Sequence, residues 1–366
     1  MKRTRLKKVV RVAKIILIIL GIAIILIFIA IGTIRLINAY RNRISQSNGI
    51  QENIYVEMGG IEQYLQIRGE DIDNPVILWL HGGPGFPLTY LSSYYQKGLE
   101  SDYTIVCWEQ RGCGRTYYQN GDNGELTIER LVSDMDELVD YLCVRFQKDK
   151  IIIMGQSWGT VLGMEYLNKN PQKVAAYISI GQVTDFKQGK IYAALTAIQK
   201  SSDKDAQLLK NYIRSFQGTG CIDELNVKEL EQMILLSSKY LKGSGELSPM
   251  KQMYLAVTSP EFSWNDLKWF LAASDSENIM NCQKELVEYM YFGFNAEKMS
   301  NEYSIQICFI QGESDWITPT DMVKGYYDTI SASSKKFVVI DNAGHTPFLD
   351  NPEQFCDEVR QFLEEN

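Results

Sequence analysis

The stretch IMGQSWGT, residues 153–160, holds Ser157 between Gly155 and Gly159. A short apolar run (151–154) precedes it, and a segment suited to a helix (160–168) follows, closing before Asn170 and Pro171. A serine is thereby placed on a strand-to-helix turn. There the flanking residues must be small, because the backbone is strained and the helix packs close, and the hydroxyl stands above the sheet edge. Taken alone, a Gly-x-Ser-x-Gly is a weak pattern, and a plain glycine-rich turn satisfies it. Its meaning rests on partners. The loop HGGPGF, His81–Phe86, directly follows an apolar run at 76–80. Its backbone N–H groups could hold a developing oxyanion, with a second donor from Trp158, the residue after the serine. A nucleophilic serine also needs a base, which in the chain order serine, acid, histidine must come late. The chain has two histidines, and only His345, in DNAGHTP, qualifies. The acid should follow the preceding strand, where FIQGESDWITP (309–319) offers Glu313 and Asp315, with Asp341 more distant. Asp315 is favoured.

The elements that must position these groups are readable as periodicity. Residues 54–58 and 61–67 alternate around Gly59 and Gly60, which predicts a β-hairpin. Short apolar runs at 76–80, 103–108, 151–154, 174–180, 305–310 and 337–340, several separated by helical segments such as 129–146, predict a parallel sheet covered on both faces. Residues 183–302 break this rhythm. They hold helix-like stretches at 190–216, 226–242, 264–273 and 285–292 and no convincing strand, which predicts a helical cap inserted into an α/β core made of residues 51–182 and 303–366.

Charge divides the chain differently. Ten of its 37 basic residues and none of its 45 acidic ones lie in the first 43 positions, leaving 27 basic against 45 acidic in the remainder. Such a body does not suit nucleic acid. Between a basic tail (1–14) and a linker (35–50), residues 15–34 form an uncharged run long enough, at about 1.5 Å per residue, to cross a bilayer of about 30 Å. An uncleaved transmembrane helix is expected, since the run exceeds the apolar core of a signal peptide. Seven basic residues precede the span and three follow it (Arg35, Arg41 and Arg43), which predicts a cytoplasmic N-terminus and a body outside. Seven scattered cysteines without a Cys-x-x-Cys pair indicate neither a zinc site nor a full disulfide framework, leaving room for one disulfide outside the cell, and no cofactor is implied.

With these parts assembled, the sequence resembles the α/β-hydrolase superfamily, and within it the proline iminopeptidase group of serine peptidases. The resemblance lies in HGGPG (81–85), EQRGCGRT (109–116), GQSWG (155–159), GESD (312–315) and Gly344 with His345. It implies Ser157 as nucleophile, Asp315 orienting His345, and the Gly83 and Trp158 amides as oxyanion hole. Glu109 and Thr116 stand where the group has Asp and Ser. The group also holds the substrate's free amine with cap glutamates. EYMYF (288–292) resembles one of those segments and nominates Glu288, whereas WNDLKWF (264–270) has no Glu after its second Trp. The expected function is a membrane-anchored serine hydrolase, an aminopeptidase on short peptides. The alternatives are an esterase or other small-molecule hydrolase with the same triad, and a catalytically silent surface binding protein.

Overall fold

Strand residues that are apolar on both faces need cover on both faces, and the sheet meets that need by sorting them alternately. In a computed structural model, which describes residues 2–241, 243 and 245–365 with side chains from Val10 onward, the apolar runs become β1 (Ile50–Met58), β2 (Ile61–Gly69), β3 (Val76–Leu80), β4 (Thr104–Glu109), β5 (Ile151–Gln156), β6 (Val174–Ile180), β7 (Glu302–Gly312) and β8 (Ser331–Ile340). Their order in the sheet is β1-β2-β4-β3-β5-β6-β7-β8. The β1–β2 and β2–β4 pairs are antiparallel, and every pair from β4 to β8 is parallel. Val76, Leu78 and Leu80 of β3 and Ile151 and Ile153 of β5 pack into one core with the helices Ile128–Phe146 and Trp158–Lys169. Ile77, Trp79, Ile152 and Met154 point the other way, into a second core with Phe355, Val359 and Phe362 of the helix Pro352–Glu364. This period of two is what the pleat imposes.

The hairpin turn forms at Gly59 and Gly60, both at positive φ (58° and 77°), as a two-residue connection between right-twisted strands requires. The helix Ile128–Phe146 starts at Thr127, whose side chain accepts from the Arg130 amide, and stops at Gln147 in the left-handed conformation.

Between β6 and β7 the chain leaves the sheet for a run of helices, from Phe186–Ile198 to Lys284–Glu288. The predicted stretch 190–216 is two helices, Phe186–Ile198 and Asp203–Gly218, because Ser202 caps the second by accepting from the Asp205 amide. Predicted helix 226–242 is Val227–Ser238, and Lys242, its predicted end, lies outside the described residues, as do Met1 and Asn366. The stretch 285–292 becomes a short α-helix, Lys284–Glu288, followed by a π-type turn, Tyr289–Gly293. The N-terminal apolar run lies in one unbroken helix, Lys2–Arg41, whose segment Val10–Arg41 is long and apolar enough to cross a membrane.

Candidate active site

Ser157 sits where β5 gives way to the helix Trp158–Lys169, with φ 51° and ψ −116°. A non-glycine residue in that conformation is strained, and it persists only when its surroundings hold it. Here the Ser157 amide donates to the Ile180 carbonyl (2.9 Å), and its own carbonyl accepts from the Thr160 amide and hydroxyl (both 2.7 Å). The flanking glycines are a steric demand. A Cβ on Gly155 would lie 2.5 Å from the Gly159 oxygen, and one on Gly159 would lie 2.2 Å from the Leu80 oxygen.

His345 follows β8, and its Nδ1 lies 2.9 Å from Asp315 Oδ2, in the loop after β7. An ionised carboxylate can only accept, so Nδ1 donates, and in the neutral ring Nε2 then carries the acceptor lone pair. Asp315 is buried and also accepts from the Ile317 and Thr318 amides (both 2.9 Å) and the Thr318 hydroxyl (2.7 Å). Burial pulls its carboxyl upward, but attraction to His345 and these donors outweigh burial and leave it below the ordinary value. Glu313 is exposed, and its carboxylate accepts from the Asn342 amide (3.1 Å), away from the imidazole's bond; Asp341 is exposed as well. Ser157 and His345 converge on one strand end. The Ile180 carbonyl holds the serine amide, while a Cβ on the next residue, Gly181, would lie 3.0 Å from His345 Cε1.

The loop after β3 is shaped from both sides. Gly83 has φ 128°, and a Cβ there would strike the Gly85 nitrogen at 2.4 Å. Beneath it His81 is buried, which pushes its imidazole down to about 4. Its Nδ1 donates to the Gly82 carbonyl (2.8 Å), and its Nε2 accepts from the Gln110 amide (3.3 Å). Cys113 Sγ lies 3.4 Å from that ring, but burial drives its thiol well up, so the pair is neutral and supplies no thiolate. From the cap, the Trp269 indole donates to the Gly85 carbonyl (2.7 Å) and Gln283 donates to the Gly112 carbonyl (2.7 Å). Trp158 is buried, its indole donating to Gln110 Oε1 (3.0 Å), and its amide opens the helix at the positive end of the dipole.

The EQRGCGRT segment is a buried ionic anchor. Arg115 pairs with Glu109 (3.2 Å) and with Asp266 of the cap helix Trp264–Ala273 (2.8 Å), while Arg111 pairs with Asp134 (2.7 Å). Burial raises Glu109 to about 7 against the pull of Arg115.

A cleft of about 440 Å³ opens at His345, lined among others by Lys190, Met233, Leu241, Glu246 and Trp316. Burial lowers the Lys190 ammonium to about 8, opposed by the Asp315 carboxylate. Glu246 reaches Gly344, the neighbour of His345, where a Cβ would lie 2.2 Å from its Oε1. Its carboxyl is raised by burial and then by the Asp350 and Asp315 carboxylates, with His345 opposing. Glu288 is not brought to this cleft. Its Oε2 accepts from the Ile222 amide (2.5 Å), and it lines another cleft with Thr127, Glu129, Cys221, Tyr289 and Phe292, whose lining includes none of Ser157, Asp315, His345 or residues 81–86. Sequence reasoning named Ser157, Asp315, His345, Gly83 and Trp158; Thr318, Lys190, Glu246 and Trp269, which the structure places around them, it did not name. Of these only Thr318 carried a local signal, three residues after Asp315 in SDWITP.

A family model described as alpha/beta hydrolase fold matches residues 75–352. "Probable aminopeptidase YbaC" of Bacillus subtilis (strain 168) is 28% identical over 305 residues, covering 82% of this chain and 92% of the relative. Among solved structures, a proline iminopeptidase of Mycobacterium smegmatis superposes with TM-score 0.60 at 18% identity, covering 86% of this chain and 98% of that one. An esterase of Exiguobacterium antarcticum superposes with TM-score 0.55 at 14% identity, covering 86% of this chain and 100% of that one.

Proposed function

The chain belongs to the α/β-hydrolase fold family, and on that premise we propose that it is a membrane-anchored serine hydrolase, an aminopeptidase acting on short peptides. The observation that carries the reading is the strained Ser157 at the end of β5, with a His345–Asp315 pair in the loops after β8 and β7 of the same parallel sheet and His345 against Gly181 at the end of β6. Ser157 Oγ attacks the scissile carbonyl carbon while His345 Nε2 takes its proton. The oxygen, now negative, is met by the Gly83 and Trp158 amides, and Asp315 stabilises the imidazolium. The imidazolium then protonates the leaving amine, the C–N bond breaks, and water repeats the sequence on the acyl-enzyme.

Glu246 and Glu288 compete for the substrate's free amine. Three carboxylates, Glu246, Asp315 and Asp350, face the His345 region against the Lys190 ammonium, a negative balance that favours a cation there over a neutral group. Glu246 lines the cleft of the base, whereas Glu288 is engaged with the Ile222 amide. Glu246→Gln is therefore expected to lower kcat/KM about tenfold for free-amine peptides, the loss of one charge-assisted hydrogen bond, and to leave a small neutral ester unaffected. Glu288→Gln is expected to leave both substrates alone. A selective loss in Glu288→Gln would return the amine to that residue. No selective loss in either variant, with esters hydrolysed faster than aminoacyl-nitroanilides, would favour the esterase reading.

The basic excess before the apolar run supports an N-terminus in the cytoplasm and a body outside. Protease added to intact cells is then expected to digest residues 44–366. Protection until the membrane is breached would reverse the orientation.

A further inference from the structure

The N-terminal helix does not simply end near the body; the body is fastened to it at a defined height. Arg35 is the first charge past the uncharged run 15–34. Its Nη2 donates to the carbonyls of Pro260 (3.2 Å) and Phe262 (2.7 Å), and one turn on, Asn38 Nδ2 donates to the Thr258 carbonyl (3.0 Å). Lys97 Nζ then donates to the Arg41 carbonyl (2.8 Å). Ile31, Ile34, Arg35 and Asn38, spaced as one helix face, are partly covered, whereas most of the run before them is exposed. If residues 15–34 cross the hydrocarbon, the loop 258–262 lies level with the interface where Arg35 emerges.

Two cap helices meet at that loop. Pro249–Thr258 ends in it, and Trp264–Ala273 begins just after it. On the first, Leu255 and Ala256 pack into the core, while Met250, Met253 and Tyr254, at i, i+3 and i+4, are left exposed. On the second, Trp264, Phe270 and Leu271 are exposed. These six side chains are 53–84% accessible, an amount of apolar surface that a soluble face rarely leaves uncovered. The charges agree. Lys251 and Lys268 are the basic residues of the two helices, and their one acid, Asp266, is buried on Arg115. Apolar and aromatic side chains with lysines and little free acid, next to an emerging span, match the chemistry of a lipid headgroup boundary.

We infer that the cap face formed by the helices Pro249–Thr258 and Trp264–Ala273 rests on the bilayer that the N-terminal helix crosses. The inference rests on the spanning reading given above. It also brings the cleft of His345 near that surface: Glu246, in the cleft, lies three residues before a ten-residue helix about 15 Å long that ends at the interface loop.

The test uses the full chain in vesicles of phosphatidylcholine and phosphatidylglycerol carrying a diazirine-labelled lipid, with photolabelled peptides read by mass spectrometry. Label is expected in 15–34 and in 249–273. The variant Met250→Ser, Met253→Ser, Trp264→Ser is expected to lose the second label, keep the first, and keep its turnover of a water-soluble ester. Label in 15–34 without label in 249–273 would overturn the docking and leave the span standing, as would cross-links joining 249–273 of two copies. No label in either segment would overturn the span itself.

Discussion

Ser157→Ala is expected to lower kcat by on the order of a millionfold, and His345→Ala by nearly as much, with the double variant little worse than either single one. The reason is that nucleophile and base act as a unit. Without the oxygen the imidazole has no proton to accept, and without the imidazole the hydroxyl is a poor nucleophile at neutral pH. On the proposed reading, what remains is due to the glycine loop and substrate binding, since the Gly83 and Trp158 amides would still meet the carbonyl oxygen. A covalent fluorophosphonate probe is expected to label wild type at Ser157 and to miss Ser157→Ala. Thermal unfolding should show that Ser157→Ala is folded, because alanine keeps the Cβ, the 2.9 Å bond from residue 157 to the Ile180 carbonyl and the acceptor for Thr160. A folded wild-type protein that the probe fails to label would overturn the hydrolase reading and revive a binding role. Full activity in Ser157→Ala would move the nucleophile elsewhere.

The parts of this site that were legible in the sequence are those set by local rules. Gly155 and Gly159 are spaced for a turn whose neighbours have no room for a side chain, and β3 and β5 are apolar on both faces because both are covered. The cap was less legible because its helices owe their ends and faces to distant contacts. The helix Pro249–Thr258 went unread because Met250, Met253 and Tyr254 are exposed and give no core-facing stripe. Glu288 was nominated by its neighbours in EYMYF, but Tyr291 packs edge-on against Phe186 (4.8 Å), and the π-type turn that starts at Tyr289 fixes the segment. Glu288 is thereby aimed at Ile222. Nothing within a few residues of Glu246 or Lys190 announces His345, which is about 100 and 155 positions away, so only the folded chain brings them together.

Asp315→Asn is expected to lower kcat by about 10⁴-fold, whereas Glu313→Gln should leave it within about threefold of wild type. Both side chains follow β7, but only Asp315 reaches the imidazole, at 2.9 Å from Nδ1. In Asp315→Asn the new carboxamide could present either its nitrogen or its oxygen to that ring. The Ile317 and Thr318 amides require an acceptor and draw the carboxamide oxygen toward themselves, which turns the NH₂ group to Nδ1. Nδ1 would then have to accept, the proton would move to Nε2, and the base would be blocked. The same substitution should change acid stability in a defined direction. Because the Asp315 pKa is lowered on folding, its contribution is present above the unfolded value and is lost as pH falls through the folded one, below the ordinary 3.8. Wild type should therefore lose stability over that acid window, and Asp315→Asn should lose less there while starting lower at pH 7. Turnover reads the catalytic effect, and urea unfolding at pH 7 and pH 3 reads the effect on stability. A folded Asp315→Asn with wild-type turnover, beside an inactive Glu313→Gln, would transfer the acid's role to Glu313.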